Sequence, residues 1–301
     1  MKVLVLGSSG FLGSYLGFAL PRMGHQVSGV SRREVSYFPD NRVVTSVDGF
    51  ADVIQTGGYE VVINCVAVAS HEACESNPEN AEAINATAPG AWASTAAQVG
   101  ASFVHISTDA VFDGSRAELY TEGDETAPES VYGRTKVQGE KAALAANPDA
   151  LVLRANFFGW SRSQKSGILD FFVTAFNNQN PVTGFQDYVV SSLYMGDFAD
   201  SMMELVERGA SGVFHTVSST PLSKYDFGQM IAEFGGLSAD CMAAGSLSDA
   251  QGLAPRGHNL SLSTSKTEEV LGRVMPSTEV GVQRAFAERE VVMDYFGASE
   301  L

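Results

Sequence analysis

A tyrosine four residues ahead of a lysine, in Tyr132-Gly133-Arg134-Thr135-Lys136, offers residue types suited to proton transfer. On a helix these two positions share one face. A phenol with a pKa of about 10 exchanges protons poorly at neutral pH unless a neighbouring ammonium stabilises its phenolate, the task expected of Lys136. Nine tyrosines and six lysines among 301 residues would give about 0.2 such pairs by chance, and this is the only one. Ser107-Thr108-Asp109 stands 24 residues before Tyr132. The Thr108 hydroxyl is expected to hold a substrate carbonyl and the Tyr132 oxygen in one hydrogen-bonded arrangement, making Thr108, Tyr132 and Lys136 the expected catalytic set.

Such a set needs elements that carry it to the edge of a ligand crevice. Short β-branched runs at 3–6, 26–30, 43–47, 61–66, 103–106 and 151–153 alternate with longer helical patterns. Strands this apolar are covered on both faces, so the alternation predicts an α/β domain with a doubly wound parallel sheet. Further on, the pattern predicts helices at 168–177, 196–207, 224–234, 265–271 and 278–295, and a strand at 213–217 able to rejoin the first sheet. The expected organisation is a dinucleotide-binding domain over 1–160, rejoined by about 193–222, with a smaller C-terminal substrate-binding lobe from 161–192 and 223–301.

Directly after the first strand, Gly7-Ser8-Ser9-Gly10-Phe11-Leu12-Gly13 opens the first helix as a GxxGxxG loop. Glycine permits positive φ and lets backbone approach a pyrophosphate, whose charge then sits on the free N–H groups of the helix N-terminus. Gly7, Ser9, Gly10, Phe11, Leu12 and Gly13 are therefore expected cofactor residues. Where an NAD-selective site would carry an acidic residue, the second strand ends in Ser31-Arg32-Arg33. Arg32 suits the 2′-phosphate of NADP, so NADP(H) is favoured and NAD(H) stays open. Asp48 is expected near adenine, and Asn64, Val66 and Ala67 beneath the cofactor, with Tyr132 and Lys136 completing the contacts.

Composition narrows the partners. With 45% hydrophobic and 18% charged residues the chain is globular, and its net charge of −16 works against nucleic-acid binding. Cys65, Cys74 and Cys241 are too few and scattered for a disulfide framework or a zinc site, which points to a reducing cytoplasm. Gly7 to Gly10 interrupt the apolar opening, and no run reaches membrane-spanning length, so a soluble protein without membrane partners is expected. The five histidines show no metal-ligand spacing, and the acidic stretch before Tyr132 reads as a solvated connector.

The GxxGxxG spacing resembles the Rossmann domain of extended short-chain dehydrogenases. Nearly the whole chain is similar to their dTDP-4-dehydrorhamnose reductase family. The resemblance is carried by Val62-Ile63-Asn64-Cys65, Ala73-Cys74-Glu75 with Pro78, Ile84-Asn85, 107–114, 132–136 with Gly139-Glu140, Leu153-Arg154 with Phe158-Gly159, 196–199, and Pro255-Arg256 leading to Ser265-Lys266. It implies reduction of the C4 ketone of a nucleotide-linked 6-deoxy sugar, with hydride from NAD(P)H and a proton from Tyr132. Arg256 matches the family's late arginine and is expected to grip the substrate diphosphate, with Arg162 and Lys165 as further cations in an expected substrate loop; Ser107, Asn156 and His71 are expected substrate contacts, and the resemblance allows a homodimer.

This chain departs from the family pattern at Ala110, usually a tyrosine, at Ala67-Val68-Ala69-Ser70-His71, and at Asn156-Phe157-Phe158-Gly159. These departures bear on the identity of the sugar and the stereochemistry at C4. Two alternatives stay open: a sugar-nucleotide epimerase of the same fold, and a non-catalytic NADP-binding subunit resembling the regulatory β subunit of methionine adenosyltransferase. A dehydratase is disfavoured, because Ala110 follows Thr108-Asp109 where such enzymes carry glutamate.

Overall fold

In Lys2–Leu6 (β1), alternate side chains feed two different cores. Val3 and Val5 point into one and Leu4 and Leu6 into the other, as the two-residue period of a strand requires when both faces are covered. The computed structural model describes residues 1–163 and 167–297. Gln26–Ser31 (β2), Asn41–Val43 (β3), Val61–Asn64 (β4), Ser102–Thr108 (β5), Leu151–Ala155 (β6) and Gly212–His215 (β7) join β1 in a seven-stranded sheet of order β7-β6-β5-β4-β1-β2-β3. Every pairing in it is parallel, so β7 does rejoin the first sheet, beside β6.

Helices cover both faces. Val47–Gly57 (α2), Ala88–Gln98 (α4) and Val131–Ala146 (α5) pack on the Leu4 side, where Phe50 stacks on Trp92 with centroids 5.2 Å apart. Phe11–Arg22 (α1), Met195–Glu207 (α7) and Thr278–Tyr295 (α10) cover the Val3 side. The short His71–Ser76 (α3) follows β4 at the C-terminal edge of the sheet. Ile168–Asn177 (α6), Lys224–Gly235 (α8) and Ser265–Leu271 (α9) complete the helices used below. Phe172 of α6 and Phe227 of α8 belong to the same core as Leu16 of α1, so the later segments share the main core.

The third strand differs from the expected 43–47. It ends at Val43 because Ser46 turns the chain into α2, its hydroxyl accepting the Gly49 N–H at 3.1 Å. β4 likewise stops at Asn64, whose side-chain oxygen takes the Val66 N–H at 3.0 Å and bends the chain away from the ladder. Among the described residues no helix is long and apolar enough to cross a membrane.

Strand order reverses between β1 and β4. A crevice opens at their carboxyl ends, the general ligand position of such sheets.

Candidate active site

Gly7 leaves β1 with φ of +85°, a left-handed conformation that only glycine adopts cheaply. A side chain at Gly13 would run into the Gly7 carbonyl, so α1 can press against the loop only because both positions lack Cβ atoms. No side chain caps α1 and no acidic residue stands in its first turn, leaving its first N–H groups to an anion. This cradle fits a dinucleotide pyrophosphate.

Gly7, Ser9, Gly10, Ser31, Arg32, Val66 and Ala67 line one cavity of about 140 Å³. Asp48 is not among its lining residues. It sits exposed on the first turn of α2, while Thr45, Ser46 and Val47 face the cavity, a consequence of the helix starting early. Phe11 borders a second cavity of about 530 Å³ with Arg33, Tyr37 and Arg162. Leu12 points into the core and contributes its backbone to the loop. Asn64 is fully buried and shapes the Val66 turn rather than lining the cavity.

Ser130 caps α5, accepting the Gly133 N–H at 3.1 Å, which places Tyr132 on the first turn. Burial pushes the Tyr132 phenol up to about 12; the Thr108 hydroxyl pulls it back in part, and Asp109 pushes it further. The Thr108 hydroxyl donates to Asp109 at 3.1 Å and lies near the Tyr132 phenol. Lys136, one turn further along α5, donates from Nζ to the Ile106 carbonyl at 2.6 Å. A strand carbonyl directly under α5 has captured it. Burial lowers Lys136 to about 8, against the attraction of Glu140.

Beneath this pair lies a sealed polar layer. Glu140 and Arg154 form a buried ion pair at 2.8 Å, and Ser107, expected at the substrate, donates its hydroxyl to Glu140 at 2.5 Å. Asn156 is similarly committed, donating to Asp109 at 2.7 Å and accepting from Ser192 at 2.6 Å. These two residues support the site from below. Asn85 lies in the π-helical stretch Glu82–Thr87 and pins the loop after β4, accepting the Val68 N–H at 2.8 Å and donating to the Val68 carbonyl at 3.1 Å.

Sequence reasoning missed Tyr188 and Lys224. Burial raises the Tyr188 phenol, with Asp109, Arg256 and Tyr132 as its charged or titratable neighbours. Lys224, at the start of α8, is lowered by burial to about 8 against the pull of Asp109, and its Nζ lies 5.4 Å from the Tyr188 ring centre. No motif marks either one, since both reach the site from segments remote in sequence.

The rim is built by α3 and the stretch before Asn259. His71 packs against Tyr132 with ring centres 4.8 Å apart, and burial and Arg256 lower its pKa, so the ring is neutral. Arg256 donates to Glu72 at 2.6 Å and to the Ala254 carbonyl at 3.1 Å. Arg162 lies 5.1 Å over the Tyr37 ring, on the cofactor side, and Lys165 lies outside the described residues.

A parallel seven-stranded sheet with a glycine loop at its switch point, and a Tyr-x-x-x-Lys helix beside it, defines an extended short-chain dehydrogenase/reductase. The pattern of the RmlD substrate binding domain matches residues 1–291. A probable low-salt glycan biosynthesis reductase of Haloferax volcanii, Agl14, is 34% identical over 297 residues, covering 96% of this chain and 99% of that protein. The dTDP-4-dehydrorhamnose reductase of Mycolicibacterium smegmatis is 33% identical over 244 residues, covering 79% and 70% respectively. The crystal structure of such a reductase from Clostridium acetobutylicum superposes with a TM-score of 0.84 at 26% identity, over 95% of this chain and 99% of that one. A Bacillus anthracis reductase in complex with NADP shares the fold with a TM-score of 0.84 at 23% identity, over 96% and 99%. This chain belongs to the RmlD substrate binding domain family, and its relatives at 33–34% identity are named as reductases.

Proposed function

We propose that the protein reduces the C4 ketone of a nucleotide-activated 4-keto-6-deoxy sugar. The observation that carries this reading is Tyr132 on the first turn of α5, packed on His71 with the Thr108 hydroxyl near its phenol, in a fold whose first strand ends in a glycine cradle. NADPH, when bound, supplies the hydride. The glycine loop and the first turn of α1 would hold its pyrophosphate, and Arg32 its 2′-phosphate.

The protein supplies orientation and a proton. The Thr108 hydroxyl orients the ketone oxygen toward Tyr132. A phenol held up at about 12 keeps its proton at neutral pH and yields it only to a stronger base, the alkoxide formed at C4. His71 borders the sugar, and the described part of the lobe of 161–192 and 223–301 covers it. Arg256 takes the diphosphate by exchanging Glu72 for phosphate oxygens.

The reading is tested by NADPH and NADH oxidation with dTDP-4-keto-6-deoxyglucose and with its 3,5-epimerised product. Turnover abolished in Tyr132→Phe supports it. Tight NADPH binding without turnover of either sugar refutes it.

A further inference from the structure

Lys136 has a neighbour that the proposed reaction does not use. His105, in the middle of β5, is fully buried under α5 and paired across the sheet with Asn64 of β4. The Asn64 side-chain oxygen is engaged by the Val66 N–H at 3.0 Å, so its amide nitrogen faces His105 Nδ1, also at 3.0 Å. A ring nitrogen that accepts a hydrogen bond carries no hydrogen, which puts the proton of the neutral ring on Nε2. Nε2 lies 3.4 Å from Lys136 Nζ. Gly139, one turn along α5, permits the close approach, since a Cβ there would run into the Asn85 carbonyl and stand 3.4 Å from Nε2.

We propose that His105 is a positioning residue for Lys136: fixed by Asn64 as its Nε2–H tautomer, it presents a donor to Nζ and turns the lysine onto the Ile106 carbonyl. The inference rests on Lys136 belonging to the reductase site. An N–H facing an ammonium repels it, whereas the same N–H satisfies the lone pair of a neutral amine. Lys136 is thereby kept able to release and regain a proton rather than fixed as a permanent charge. The titratable groups facing it are His105 from β5, Cys65 from the segment after β4, and Glu140 from its own helix. Only Glu140 is an anion that favours the ammonium. Burial holds His105 well below its ordinary range, so the ring stays neutral while Lys136, lowered to about 8, titrates.

Two measurements test this. Ring-nitrogen NMR of the labelled wild-type protein between about pH 6 and 9 should show His105 neutral throughout with its proton on Nε2. A proton on Nδ1, or a ring that titrates in that range, overturns the proposal. His105→Asn keeps an oxygen facing Asn64 but deletes the group facing Lys136. The basic limb of kcat/KM for ketone reduction should move up by about one pH unit at unchanged NADPH affinity. His105→Gln, which returns an amide N–H near the Nε2 position, should move it back. An unmoved limb in a His105→Asn protein of wild-type Tm overturns the proposal, and if that variant fails to fold, the NMR result decides alone. Wild-type protein without turnover would sink the reductase reading, and the NMR result would still decide the tautomer.

Discussion

Two ion pairs, one buried between α5 and β6 and one on the rim beside α3, differ in what surrounds them. Arg154 and Glu140 meet at 2.8 Å with 6% and 5% of their side chains exposed, while Arg256 and Glu72 meet at 2.6 Å with 19% and 51% exposed. Nearly equal distances conceal unequal energetics. Removing one partner of a buried pair strands a charge in low dielectric and costs about 3–5 kcal/mol, whereas an exposed pair contributes about 0–1 kcal/mol. The floor is therefore committed to one arrangement, and the rim can exchange partners cheaply, as a guanidinium that must receive a phosphate requires.

The largest expected effect lies at Tyr132. Tyr132→Phe should lower kcat by about 10²–10⁴-fold, the range for loss of a general acid, while the urea midpoint stays near wild type. Next comes the floor: Arg154→Ala should cost about 3–5 kcal/mol in urea unfolding. Arg256→Ala should cost no more than about 1 kcal/mol and act instead on KM for the nucleotide sugar. Equal stability losses at Arg154 and Arg256 would break the comparison.

A smaller effect is a pH dependence. Buried His105 and His215 have pKa values below the ordinary 6.5, His215 at about 3 through burial and Arg154. Both stay neutral in the fold while the unfolded chain takes up their protons. Stability should thus be full above about pH 6.5 and fall as the pH drops toward 3, by up to about 1.4 kcal/mol per pH unit for each ring. Urea midpoints measured across that range check it, and a flat profile would mean that the rings are charged in the fold. The smallest effect is at the rim, where Glu72→Gln should shift stability by less than about 0.5 kcal/mol yet lower KM by freeing Arg256.

Much of the frame is legible in the sequence. Helices α6, α9 and α10 begin and end where their apolar periodicity and flanking residues predict, at 168–177, 265–271 and 278–295. The run at 43–47 misled, because β-branched residues favour a strand while Ser46 favours a helix cap, and the cap prevailed. The site divided in a similar way. Thr108 and Tyr132 lie near one another, whereas Ser107 and Asn156 turn their polar groups to Glu140 and Asp109. Tyr188 and Lys224 arrive from segments that carry no motif.

What the sequence determined by itself is what nearby residues decide among themselves: which stretches become strand or helix, where glycine admits a positive φ, and that Tyr132 and Lys136 share a helix face. Tertiary structure alone decided which partner each buried polar group takes. Arg256 finds Glu72 across 184 residues, and Lys136 finds the Ile106 carbonyl of a neighbouring strand. The physical reason is that a buried donor or charge must be satisfied by whatever packing brings within hydrogen-bond distance, and that packing is set by contacts between elements far apart in the chain.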